Sequence, residues 1–214
     1  MDWTQSLDGY CERVGPDYWA EPLNALSNLG FMIAAVIMWR RCGGMPKGRV
    51  MAGALFVIGV GSWLFHTHAT RWAEMADVVP ILGFVVLYLW RANRDYLGVP
   101  RLWAGVLTAL YVPVTAVFAP ILARLPLLGV SAAYLPLPVL IAGYGLAVRK
   151  RARATAVGLG IGAGVLLVSL TFRSLDMPLC DDWPVGTHFI WHLLNAVMLG
   201  WMIEVWRRDQ IAKR

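Results

Sequence analysis

The stretch Met51–His66, MAGALFVIGVGSWLFH, decides the fold. It carries no charge, and its first polar side chain is Ser62. An uncharged apolar run approaching the roughly 20 residues needed to cross a bilayer reads as a membrane helix. Similar runs recur outward in both directions, and the sequence predicts seven spans at roughly 23–40, 51–66, 77–93, 102–119, 127–148, 155–173 and 186–206. The expectation is an all-α polytopic membrane protein: one seven-helix bundle over 1–214, with an outer N-terminal segment at 1–22 and a cytoplasmic tail at 207–214. Composition agrees. The 214 residues are 58% hydrophobic and 15% charged, against about 25% charged in a soluble domain. So apolar a chain has too little polar surface to cover itself, and its exterior must meet lipid. The sixth span, with GLGIGAG, is rich in small residues that permit close helix contact. No internal repeat is visible.

A net charge of +6 does not point to nucleic acid, because the basic residues sit in short clusters between the spans. Arg40, Arg41, Lys47 and Arg49 follow span one, and Arg91, Arg94 and Arg101 follow span three. Arg149, Lys150, Arg151 and Arg153 follow span five, and Arg207, Arg208, Lys213 and Arg214 end the chain. Only Arg13, Arg71, Arg124 and Arg173 fall on the other side, with most of the acidic residues. The positive-inside rule then puts the N-terminus outside and the C-terminus in the cytoplasm, and an odd number of spans is required. The polar, acidic start resembles no cleavable signal, so the first span is expected to serve as the insertion signal. Cys11 and Cys180 both fall outside, where disulfides persist, and Cys42 falls inside. A Cys11–Cys180 bridge is expected; the alternative is two free thiols that share a side.

All four histidines sit at outer helix ends: His66 and His68 in GSWLFHTHAT, His188 and His192 in THFIWHLLNA. The i, i+4 spacing of 188 and 192 places both rings on one helix face and suits two ligands of one metal. By itself such a pair is usually incidental, and membrane histidines also bond across helices. Convergence raises its weight: histidines of two spans share one depth, carboxylates flank them, and ionisable groups within spans tend to mark function. A third histidine would leave a fourth zinc position open, the pattern of a catalytic metal. Asp77 opens the third span at that depth, and Ser62 lies one turn below His66 on the same face. A carboxylate can accept the proton of a metal-activated water, and a hydroxyl can steady an oxyanion. Asp8, Glu12, Asp17 and Glu21 precede span one; such oxygen ligands can bind calcium, although the pattern equally suits a solvated acidic cap. Asn24, Ser27 and Asn28 give span one a polar face.

Four segments, YCERVGPDYWAEPLNALSNL, GSWLFHTHA, EMADVVPI and HFIWH, together resemble the alkaline ceramidase family, related more distantly to the adiponectin receptors. The resemblance runs through nearly the whole chain in order and spacing. It implies a seven-helix bundle with an intramembrane zinc held by His66, His188 and His192, an acid/base Asp77, a Ser62 beside the metal, and a joined cysteine pair. His68 matches no ligand and is read as supporting or structural. In the animal ceramidases the N-terminal segment binds calcium, which carries over to Asp8, Glu12 and Glu21 with Tyr10 offering a carbonyl. This chain departs there: the stretch from Glu12 to Glu21 is shorter, and Val14 stands where an asparagine is expected. The implied function is zinc-dependent hydrolysis of the amide bond of ceramide or a related N-acyl lipid. The competing reading is a lipid-binding, receptor-like protein with a structural zinc; a transporter fits less well, for want of a repeat. The expected location is a bacterial inner membrane, with N-terminus and active site periplasmic. Trp63, Phe189 and Trp191 are candidates for the pocket wall that periodicity does not separate from lipid-facing positions.

Overall fold

The computed structural model describes residues 2–214. Among the described residues, nine α-helices account for the apolar runs: α1 Pro22–Ser27, α2 Leu29–Arg41, α3 Pro46–His68, α4 Arg71–Arg91, α5 Arg101–Ala109, α6 Tyr111–Leu122, α7 Pro136–Val148, α8 Arg153–Leu175 and α9 His188–Ala212. Two pairs are single rods with a local irregularity. Between α1 and α2 the side chains of Ser27 and Asn28 both donate to the carbonyl of Asn24, at 2.9 and 2.8 Å, while the Asn28 amide turns to Ala25. Side-chain donors thus displace the regular helix bond. Between α5 and α6 the irregularity is at Leu110.

Among the described residues, six segments are long and apolar enough to cross a membrane: Pro22–Arg41, Pro46–His68, Arg71–Tyr96, Arg101–Leu122, Arg153–Leu175 and His188–Ala212. The seventh, expected over 127–148, is α-helical only from Pro136 to Val148, preceded by a single 3-10 turn at Gly129–Ser131. Its 13 residues rise about 20 Å, short of the roughly 30 Å hydrocarbon core. The physical reason lies in residues 123–135. Leu127 takes a left-handed φ of 64°, and a Cβ on Gly129 would lie 2.3 Å from the Ala123 carbonyl oxygen. The turn is then pinned by Arg173, which donates to the Val130 carbonyl at 2.7 Å, and by a 2.9 Å bond between Ser131 and Ser174. Two further boundaries differ from expectation. The α3–α4 connection is only Ala69 and Thr70, so Asp77 sits in the second turn of α4 rather than opening it. The last helix runs to Ala212, so most of the expected tail is helical.

Hydrophobic attraction is weak between helices in lipid, so close packing and polar contacts must hold the bundle. Of the GLGIGAG stripe, Gly158 and Gly162 face α9: added Cβ atoms would meet Val205 at 2.7 Å and Met202 at 2.5 Å, whereas Gly160 and Gly164 face open space. The tightest approach is at Gly61, where a Cβ would lie 2.0 Å from the Ala76 carbonyl oxygen and 3.3 Å from the Asp77 Cα. That approach sets Ser62 of α3 beside Asp77 of α4.

At the end opposite the histidines, three acidic residues bind the helices together. Glu204 of α9 pairs with Arg41 at 2.7 Å, Arg207 at 2.7 Å and Arg208 at 2.8 Å. Asp95 accepts from the Trp206 indole at 2.8 Å, and Asp209 from Thr155 at 2.9 Å. Overpacking typically costs about 1–3 kcal/mol. Gly61→Ala should therefore lower the Tm of the detergent-solubilised protein and separate Ser62 from Asp77, while Gly160→Ala, facing open space, should be neutral or slightly stabilising. Thermal unfolding of the two variants side by side checks this.

Candidate metal centre

The histidines expected from the pattern converge. His66 ends α3, and His188 and His192 open α9 one turn apart, running the opposite way. Their ring nitrogens lie within 4.8 Å of one another, and all three residues are buried. His66 Nε2, His188 Nδ1 and His192 Nε2 have no hydrogen-bond partner. Three buried imidazole nitrogens aimed at one point cannot satisfy one another without protons between them. A cation that prefers nitrogen ligands fits that donor set.

The opposite nitrogens of His66 and His192 are held. His66 Nδ1 lies 2.5 Å from Glu21 Oε2, and His192 Nδ1 lies 2.8 Å from Ser27 Oγ. Such contacts fix which nitrogen faces a metal and how the ring is turned. Glu21 also accepts from the Asn24 amide at 3.1 Å and from Arg13 Nε. Burial alone would raise the Glu21 carboxyl; the bonds from His66, Asn24 and Arg13 outweigh it and hold the group below its ordinary value. Ser27 and Asn24 belong to the polar face expected for the first span. Glu21 was singled out from the sequence only as a calcium ligand, and its place against His66 is a finding of the fold.

His188 is set by Asp176, which sequence reasoning passed over. One Asp176 oxygen accepts from the backbone amides of Thr187 at 2.7 Å and His188 at 2.9 Å, and the other from the amide of Cys11 at 3.0 Å. The carboxylate thus caps the N-terminus of α9, where anions are favoured. A Cβ on Gly186 (φ +63°) would lie 2.1 Å from Asp176 Oδ1; the backbone here needs glycine on both counts. Cys11 and Cys180 are joined, with sulfurs 2.11 Å and Cα atoms 5.4 Å apart. This ties the N-terminal segment to the loop that carries Asp176.

Asp77 and Ser62 are buried, and neither Asp77 Oδ1 nor Ser62 Oγ closes a hydrogen bond. Asp77 lies within electrostatic reach of His66 and Arg173. The Tyr10 ring covers the centre from outside, 3.9 Å centroid to centroid from His188 and 5.1 Å from His66. Trp191 stacks on His188 at 5.0 Å and lines a small apolar cavity of about 40 Å³, with Phe31, Phe84, Leu166 and Met198. Trp191 is thus a pocket wall, whereas Trp63 packs against Trp19 at 6.0 Å and Phe189 is half-buried. His68 is exposed, edge-on to Tyr18 at 5.4 Å, and takes no part.

The residues carried over for calcium are given other work. Both Glu12 oxygens accept backbone amides at the start of α1, from Leu23 at 2.7 Å and Asn24 at 2.8 Å. Burial raises the Glu12 carboxyl, and those two amides act against it. Asp8 is exposed, and the Tyr10 ring packs on the histidines. Among the described residues, the acidic or metal-ligating group that gathers within 4.8 Å is the histidine trio.

Loss of a contact that orients a ligand typically costs about 10–100-fold in metal affinity. Glu21→Gln and Ser27→Ala should each weaken metal binding by roughly that factor, and His68→Ala should not. Competition with a chromogenic chelator on the purified protein gives the ratio.

No curated protein matches the sequence. The family model described as Ceramidase matches residues 4–208, which takes in α1 to α8, most of α9 and the three histidines of the centre. The chain belongs to the ceramidase family.

Proposed function

We propose that the protein is a zinc-dependent intramembrane hydrolase that cleaves the amide bond of ceramide or a related N-acyl lipid. Family membership supports a lipid amide hydrolase. The observation that carries the finer reading is the set of three buried, unpartnered imidazole nitrogens within 4.8 Å of one another, with Asp77 in electrostatic reach of His66 and Ser62 beside Asp77. That centre lies at the head of an apolar cavity.

Held by His66, His188 and His192, a zinc ion would supply a Lewis acid and lower the pKa of a coordinated water toward about 7. The chain's own groups do the rest. Asp77 accepts the proton of the attacking water and delivers it to the amide nitrogen as the C–N bond breaks. Water and amide thereby become a carboxylic acid and an amine. Ser62 donates to the carbonyl oxygen as negative charge develops there. The acyl chain would run beneath Trp191 along the apolar seam between α4, α7, α8 and α9, where two small neighbouring cavities share Val85, Leu137, Leu166, Met198 and Leu199 and the second reaches Tyr88 and Met202. The polar head faces an outer cleft lined by Tyr10, Phe65, Glu74 and Arg173. The clustering of basic residues at the opposite end supports an outward-facing centre, in a bacterial inner membrane on the periplasmic side.

Purified protein incubated with a panel of N-acyl lipids should release fatty acid. Removing a general base typically costs about 10²–10⁴-fold. Asp77→Ala should lose roughly that much turnover while keeping its metal, whereas His192→Ala should lose both. Full activity in His192→Ala would sink the zinc mechanism, and metal retention without hydrolysis of any N-acyl lipid would favour a receptor-like protein. Leu166→Trp, filling the cavity, should shift preference toward shorter acyl chains with little change in metal content.

A further inference from the structure

The calcium site implied by resemblance to the animal ceramidases does not fit the residues present. A hard cation needs several free oxygens converging on one point, and here Glu12 and Glu21 are already engaged while Asp8 lies exposed, outside any group of ligand atoms that gathers within 4.8 Å among the described residues. Glu12 spends both oxygens on backbone amides. Glu21 spends one on Arg13 and the other on His66 and Asn24.

A cation is nevertheless present in the segment, and it is covalent. The Arg13 side chain is only 4% exposed. Its Nε donates to Glu21, one terminal nitrogen donates to the Gly15 carbonyl at 3.0 Å, and the other donates to the His66 carbonyl at 3.2 Å. A carboxylate and two main-chain carbonyls are oxygen donors of the kind a calcium ion takes. The guanidinium gathers them in one plane and closes the N-terminal segment onto the end of α3. Because it grips both the Glu21 carboxylate and the backbone of His66, it fixes the distance between Glu21 and the imidazole that Glu21 orients.

We propose that Arg13 is a built-in cation that does here what a bound calcium would do. It acts as a positioning residue for His66, and it makes the protein independent of calcium. The proposal rests on the histidine metal centre of the preceding reading, though not on hydrolysis.

The test uses the full-length, zinc-loaded protein in detergent and calcium-free buffer. Titration of wild type with CaCl₂, followed by calorimetry and thermal unfolding, should give no saturable heat and an unchanged Tm through millimolar Ca²⁺. A site of micromolar affinity would instead raise the Tm by several degrees under mass action, and that result overturns the proposal without any variant. In the second arm, Arg13→Gln should weaken zinc affinity roughly 10–100-fold, as expected for lost ligand support. It should also shift the visible spectrum of the Co²⁺-substituted protein, and Arg13→Lys should recover part of both. Wild-type affinity and an unshifted Co²⁺ spectrum in Arg13→Gln would refute the positioning role. Both arms stay readable if the protein holds zinc yet cleaves no lipid, so failure of the hydrolase reading remains distinguishable.

Discussion

A histidine that presents Nε2 to a cation must have its Nδ1 taken by a partner, and for His66 that partner is Glu21 at 2.5 Å. The outer end of the bundle is organised around this contact. Glu21 precedes α1, His66 ends α3, and Arg13 comes from the N-terminal segment, so one carboxylate joins three parts of the chain. Each is secured by a further bond. Arg13 grips the His66 backbone, Cys11 is linked to Cys180, and Asp176 holds the Cys11 amide together with the first turn of α9. The N-terminal segment also lies along the α3–α4 turn, where the Leu7 amide donates to the Ala69 carbonyl at 2.7 Å and the Arg71 amide to that of Gln5 at 3.2 Å. Ala69 holds a left-handed φ of 44° there, a conformation retained by a non-glycine residue only when its surroundings impose it.

The apolar part of the bundle serves the same centre by geometry. Gly61 lets α3 and α4 approach until Ser62 lies beside Asp77, and Gly158 with Gly162 does the same for α8 and α9. Close contact at those pairs leaves the space under-filled between α4, α7, α8 and α9, where α7 is short. The cavity lies there, with Trp191 between it and the histidines.

Much of this was legible in the chain. The spans follow from hydropathy, and the α9 histidines from i, i+4 spacing. The two outer cysteines follow from charge asymmetry, and the polar face of the first span from Asn24, Ser27 and Asn28. What was not legible depends on contacts between residues distant in sequence. Asp176 reads as one more acid in a loop; only the fold brings it to the amides of Cys11, 165 positions away, and His188. Glu21 and Glu12 read as an oxygen cluster because composition counts carboxylates and does not show what they accept. The shortness of α7 is hidden because residues 127–135 are as apolar as a helix would be, while the turn is set by backbone conformation at Leu127 and Gly129 and by Arg173.

The two ends of the bundle treat polar groups in opposite ways. At the basic end Asp95, Glu204 and Asp209 each have a basic, indole or hydroxyl partner, as low-dielectric surroundings demand. At the other end His66 Nε2, His188 Nδ1, His192 Nε2, Ser62 Oγ and Asp77 Oδ1 are all buried and unpartnered. Leaving one such atom unsatisfied costs about 1–3 kcal/mol, so five together would be a heavy burden on a fold of ordinary stability. A chain that pairs its acids so thoroughly at one end is able to pair these as well. The three nitrogens lie within 4.8 Å of one another, so a single cation could satisfy all three at once.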